Sequence, residues 1–164
     1  MKFNAYLSLI PLMAVACSGE PAEEATTEPS TACAGDGMVV SDAWMRTARP
    51  GQPTSAAYFT LCNGGQNDDA LVSVAFAGAQ AAELHVTTMG DDAMASMAPT
   101  QQIMVSAGQI AKLEPEGAHV MLIGLTAPLA ADDKPTATLT FKNAPPINVE
   151  FEVRGEMHGD GAHH

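Results

Sequence analysis

From about residue 38 to residue 154 the chain is written in short runs of alternating apolar and polar residues, punctuated by glycine, proline, asparagine and aspartate. Ile147, Val149, Phe151 and Val153 take every second place among Asn148, Glu150 and Glu152. Successive side chains of a strand point to opposite faces, so a run of this kind buries one face and wets the other. A surface helix needs apolar residues three and four apart, and no long stretch supplies them. This pattern excludes a helical bundle and points to many short strands.

The runs can be placed in order. Val39 to Trp44, Ala56 to Cys62, Leu71 to Phe76 and Glu83 to Met89 read as strands, with Val72, Val74 and Phe76 on one face. Trp44 is expected in the core. Ile103 and Val105 mark a further short run. Ile110 to Leu113 and Ala118 to Leu122 flank Pro115-Glu116-Gly117 and read as a hairpin. Leu139 and Phe141 face the Ile147 to Val153 run across Asn143-Ala144-Pro145-Pro146, a second hairpin. Seven to nine such strands, with no internal repeat, predict an all-β fold, an antiparallel β-sandwich or barrel.

Both ends differ in composition from this domain. Residues 1–16 carry Lys2 and then an apolar stretch too short to span a bilayer, the form of an export signal. The stretch ends at Ala14-Val15-Ala16-Cys17, which resembles a lipoprotein box with Cys17 as the lipidated residue, although Ala14 stands where leucine is usual. The expected location is the periplasm, with the membrane reached only through that anchor. Residues 17–37 form an acidic linker rich in Glu, Thr, Ala and Pro. The β-sandwich domain occupies residues 38–155, and residues 156–164 form a polar tail containing Met157, His158, His163 and His164. A net charge of −12 argues against nucleic acid as a partner. With Cys17 modified, Cys33 and Cys62 remain; an oxidising compartment favours a disulfide, and two separate thiols fit the sequence equally well.

Histidine and methionine gather in one stretch. It holds His85, Met89, Met94, Met97, Met104, His119 and Met121, and no cysteine. Imidazole and thioether together suit a soft monovalent ion, Cu(I), and suit Zn(II) poorly. Thioethers neither titrate nor form disulfides, so they persist as ligands outside the cytoplasm. His119 and Met121 are two apart on an expected strand and project to one side, as do Glu83, His85, Thr87 and Met89. Met94 and Met97 are expected on the loop between. Taken singly, each of these residues is as well explained by packing or solvation; the joint pattern carries the copper reading. Met104 is assigned to packing or surface, and Met89 and Met94 are auxiliary candidates.

The spacing resembles the pattern of the PCu(A)C family of periplasmic copper chaperones. In that pattern a histidine and an optional methionine are followed by ten residues, methionine, twenty-one residues, and His-x-Met. Here these positions are His85, Val86, Thr87 to Ser96, Met97, Ala98 to Ala118, His119, Val120 and Met121, with Val86 in place of the optional methionine. Asp42-Ala43-Trp44, Ala56-Ala57-Tyr58, Glu83-Leu84-His85 and Gly124-Leu125 also resemble family positions. The resemblance covers about Val39 to Arg154. It implies a cupredoxin-like sandwich, His85, Met97, His119 and Met121 as Cu(I) ligands, and delivery to a cuproprotein, the binuclear copper centre of cytochrome c oxidase. It also implies that Met157, His158, His163 and His164 of the tail help bind Cu(II); the tail residues by themselves fit an inert tail equally well. A monomeric, non-enzymatic carrier is expected.

Two other classes compete. An electron-transfer copper protein needs a cysteine thiolate beside two histidines, and Cys62 is far along the chain from both. A metal-free structural lipoprotein domain would leave copper binding indifferent to His119. Neither a Ser/His/Asp order nor a paired-carboxylate spacing supports a hydrolase.

Overall fold

The computed structural model describes Cys33, residues 36–89 and residues 95–155. Among the described residues eleven strands, against the seven to nine expected, follow one another: β1 (Met38–Arg46), β2 (Thr54–Asn63), β3 (Asp69–Phe76), β4 (Ala79–Met89), β5 (Ala95–Pro99), β6 (Ile103–Val105), β7 (Ile110–Leu113), β8 (Ala118–Leu125), β9 (Thr136–Phe141), β10 (Ile147–Glu150) and β11 (Glu152–Arg154). They form two sheets. The larger has the order β11-β1-β2-β7-β8-β4-β5, and the smaller β10-β9-β3-β6. Most pairings are antiparallel; β11 joins β1 in parallel. The all-β sandwich expected from the alternation is present.

The core lies between the sheets. Phe59, Leu61, Val120 and Leu122 of the larger sheet meet Leu71, Val74, Leu139 and Phe141 of the smaller, all of them buried. Phe151 bridges the two layers: β10 belongs to the small sheet and β11 to the large, and the fully buried Phe151 between them packs edge-on to Phe59 at 5.9 Å. Full burial of such a side chain stabilises by roughly 1.5–3 kcal/mol. Asp69 ties the small sheet to its turn. Its carboxylate accepts the N–H groups of Ala70, Asn143 and Ala144 at 2.7, 2.9 and 2.8 Å. Burial pushes its pKa up, but these donors outweigh that and hold it below its ordinary value.

Four expectations change. Trp44 is half-buried on the outer face of the larger sheet, 4.4 Å from the Tyr58 ring, and is not a core anchor. The cause is a β-bulge between Ser41 and Trp44, where Asp42 adopts φ 52°. One extra residue reverses the alternation, so Val40 and Met45 both face inward and Trp44 faces out. A bulge between Leu71 and Ser73 acts likewise: Leu71 and Val74 are both buried while Val72 is only half-buried, so Val72 and Val74 do not simply share one face. Pro115-Glu116-Gly117 does not close a hairpin. β7 and β8 both run antiparallel to β2, along Phe59 to Cys62 and Thr54 to Ala57 respectively, and touch each other only at Leu113 and Ala118. Met97, expected on a loop, sits in β5 and pairs with Thr87.

Cys33 and Cys62 are joined in a disulfide, their Cα atoms 5.4 Å apart. The expected export signal, Cys17, nearly all of the expected linker, Met94 and the tail with Met157, His158, His163 and His164 lie outside the described residues.

Candidate metal centre

The centre is built on the outer face of the larger sheet. On β8, Val120 and Leu122 point into the core with no exposed surface, so His119 and Met121 must point away from it. On β4, Leu84 is buried against the same core and Val86 packs on it, which turns Glu83, His85 and Thr87 outward.

The strand register then decides what meets. β4 and β8 pair so that His85 lies directly opposite His119 and Glu83 directly opposite Met121. β4 and β5 pair so that Thr87 lies opposite Met97. Directly opposed side chains begin about 5 Å apart, and diagonal ones about 7–8 Å, within reach of a long thioether. Met97 and Met121 are each diagonal neighbours of His85, one on either side of β4. The two imidazole centroids are 5.8 Å apart. His85, Met97, His119 and Met121 are therefore brought together on three adjacent strands. Met89 ends β4, and Met104 is exposed on β6 in the other sheet, away from this group.

Exposure is graded across the group. His119 keeps 7% of its surface and Met97 63%. Gly117 O accepts a hydrogen bond from His119 Nδ1 at 3.1 Å, which orients that ring and leaves Nε2 as its free nitrogen. Glu83 Oε2 lies 3.1 Å from His85 Nε2. His85 Nδ1 is buried and has no hydrogen-bond partner. A polar atom stranded in this way costs about 1–3 kcal/mol, and a metal ion is one species that would relieve it. Among the described residues no three His, Cys, Asp or Glu side chains are grouped as a metal site; the side chains diagonal to His85 are the thioethers of Met97 and Met121.

Beside His119 opens a cleft of about 460 Å³, lined among others by Arg46, Tyr58, Met97, Glu116, His119 and Met121. Its wall continues as an aromatic row. Tyr58 stands 6.4 Å from His119 and 4.4 Å from Trp44, and Arg154 lies over Trp44 at 5.9 Å. Arg46 Nη2 donates to the Tyr58 hydroxyl at 3.2 Å.

A family model described as "Putative lipoprotein LpqE-like" matches residues 38–153, most of the chain. The chain belongs to the LpqE-like lipoprotein family. The "Putative lipoprotein Lxx21020" of Leifsonia xyli subsp. xyli is 32% identical over 119 residues, 73% of this chain and 70% of that protein. Among solved structures, the copper-bound PCuAC domain from PmoF2 aligns with a TM-score of 0.62 at 18% identity, covering 73% of this chain and 93% of that one. The Cu(I) form of DR1885 from Deinococcus radiodurans aligns with a TM-score of 0.53 at 30% identity, covering 72% and 80%. These likenesses establish the PCuAC fold, a cupredoxin-like β-sandwich, for this LpqE-like chain.

Two residues of the centre carry no sequence signal of their role. Alternation puts Glu83 on the face of His85, but only the structure makes it that ring's partner. Tyr58 reads as one more strand aromatic, and its place beside His119 depends on β2 and β8 being neighbours. Val86, where the optional methionine is missing, packs toward the core and away from the histidines.

Proposed function

We propose that this protein is an extracytoplasmic copper chaperone that binds Cu(I) through His85, Met97, His119 and Met121. The observation that carries the reading is the direct opposition of His85 and His119, with Met97 and Met121 diagonal to His85 on the same outward face. Two imidazoles and two thioethers form a neutral, soft donor set, which favours Cu(I) over harder ions. The copper-bound state of the PmoF2 domain and the Cu(I) state of DR1885 support the choice of metal.

The exposure gradient suits a carrier. The histidines hold the ion from the sheet, while Met97 stands at the surface where a recipient's ligand can replace it. Handover then proceeds by stepwise exchange, beginning at Met97 and ending at the buried His119. The recipient is a cuproprotein, and the binuclear copper centre of cytochrome c oxidase is the target we assign. Lipidation at Cys17 anchors the chain in the periplasm as a monomer, and the acidic linker gives the domain reach. Met89 and Met94 are auxiliary sulfurs for the Cu(I) site, and Met157, His158, His163 and His164 form a separate, looser site for Cu(II). An electron-transfer role is disfavoured, because the sulfur of Cys62 is engaged in a disulfide with Cys33 and is not a free thiolate.

The test is an anaerobic Cu(I) titration against a competing chelator. Wild type should bind one ion per chain, and His85→Ala, Met97→Ala, His119→Ala and Met121→Ala should each weaken it. A His119→Ala protein that holds Cu(I) as tightly as wild type would refute the assignment.

A further inference from the structure

The two histidines differ in which nitrogen is engaged by the protein. On His119 the engaged atom is Nδ1, bonded to the Gly117 carbonyl at 3.1 Å. On His85 it is Nε2, which faces Glu83 Oε2 at 3.1 Å. A neutral imidazole has one N–H and one lone pair. The carboxylate of Glu83 can only accept, so it selects the form of His85 with hydrogen on Nε2 and the lone pair on Nδ1. That Nδ1 is the buried nitrogen with no hydrogen-bond partner. The carbonyl of Gly117 selects the opposite form of His119.

We infer that Glu83 is a positioning residue: it holds His85 so that copper is taken by Nδ1 of His85 and by Nε2 of His119, a mixed pair of nitrogens. This rests on the copper reading above and adds to it the donor atom of each ring and the residue that sets one of them. The placement follows from the strand. Glu83 and His85 are two apart on β4 and share its outward face, and Glu83 stands opposite Met121 on β8. The carboxylate thus flanks the ligand group without belonging to it. Its side chain keeps 49% of its surface, so replacing it does not disturb the core.

Carboxylates that orient a metal-binding histidine typically contribute 10–100-fold in metal affinity. The experiment uses the exported domain with ¹⁵N-labelled imidazoles, in wild type, Glu83→Ala and Glu83→Gln. In the metal-free wild type, with the rings neutral, the proton–nitrogen correlation pattern of His85 should report hydrogen on Nε2, and that of His119 hydrogen on Nδ1. Adding Cu(I) should shift Nδ1 of His85 and Nε2 of His119. Chelator competition should show Glu83→Ala binding Cu(I) about 10–100-fold more weakly. Glu83→Gln, which keeps an oxygen acceptor, should stay within a few-fold of wild type. A Cu(I) shift on Nε2 of His85, unchanged affinity in Glu83→Ala, or a Glu83→Gln loss as large as that of Glu83→Ala would each overturn the inference. Absence of Cu(I) binding in wild type is a different result: it would defeat the chaperone reading, while the tautomer of the metal-free His85 would still be read on its own.

Discussion

Removing the Cys33–Cys62 disulfide separates what stabilises this fold from what binds metal. The bond links positions 29 residues apart. Constraining a loop of that length lowers the entropy of the unfolded chain by about 12 cal/mol/K, or roughly 3.6 kcal/mol at 25 °C. With a urea dependence of about 1–3 kcal/mol/M for a small domain, the midpoint should fall by between about 1 and 4 M. The metal centre should not notice. Cys62 pairs with Val39 and Ile110, whereas the strand partner of Met121 is Ala56, at the other end of β2. Six residues of extended strand place these ends about 20 Å apart. The assay is urea unfolding by tryptophan fluorescence of oxidised wild type and of Cys33→Ser/Cys62→Ser, followed by Cu(I) competition on both. The expected result is a large loss of stability with Cu(I) affinity unchanged within a few-fold. An unchanged midpoint would refute the cross-link reasoning. A collapse of Cu(I) affinity in protein that remains folded would mean that the sulfurs belong to the site after all.

Other outcomes follow from the same geometry. Met97→Ala should weaken Cu(I) by at least about tenfold, or about 1.4 kcal/mol, yet leave the urea midpoint unmoved, because its side chain is mostly exposed. Phe151→Ala removes a fully buried ring at the junction of the sheets and should destabilise by about 3–5 kcal/mol, read as a lower urea midpoint. Asp69→Asn should be less stable than wild type by about 1–3 kcal/mol at neutral pH. Because the folded pKa of Asp69 lies below its ordinary 3.8, its contribution is complete above that value and is lost as pH falls through the lower folded one; unfolding at neutral and strongly acid pH should show the gap between the two proteins closing. Deleting residues 156–164 should reduce Cu(II) binding and spare Cu(I), measured by separate titrations of the two ions.

Alternation was enough to predict the sandwich and the outward faces of β4 and β8, because one residue in two is sorted by the core. It could not predict where alternation breaks. The bulge at Asp42 moves Trp44 to the outer face, and the signal for it is a backbone conformation rather than a residue pattern. Pro115-Glu116-Gly117 has the local chemistry of a turn, yet β7 and β8 share β2 as a partner, and such sharing is a long-range choice that no local signal records. Met97 reads as loop because Ala95 to Pro99 has little strand propensity; pairing with β4 makes it a strand. Local alternation puts both His85 and His119 on strands. That they are directly opposed depends on β4 and β8 being neighbours in a particular register, with β5, β6 and β7 intervening in the chain.

Everything turns on two imidazoles and two thioethers meeting one ion above β4. X-ray absorption at the copper edge of the Cu(I)-loaded domain measures that shell directly. The expected spectrum fits two nitrogen donors with imidazole outer-shell scattering and two sulfur donors. A shell of nitrogen and oxygen alone, or one that keeps its sulfur when Met97 and Met121 are both replaced by alanine, would contradict it.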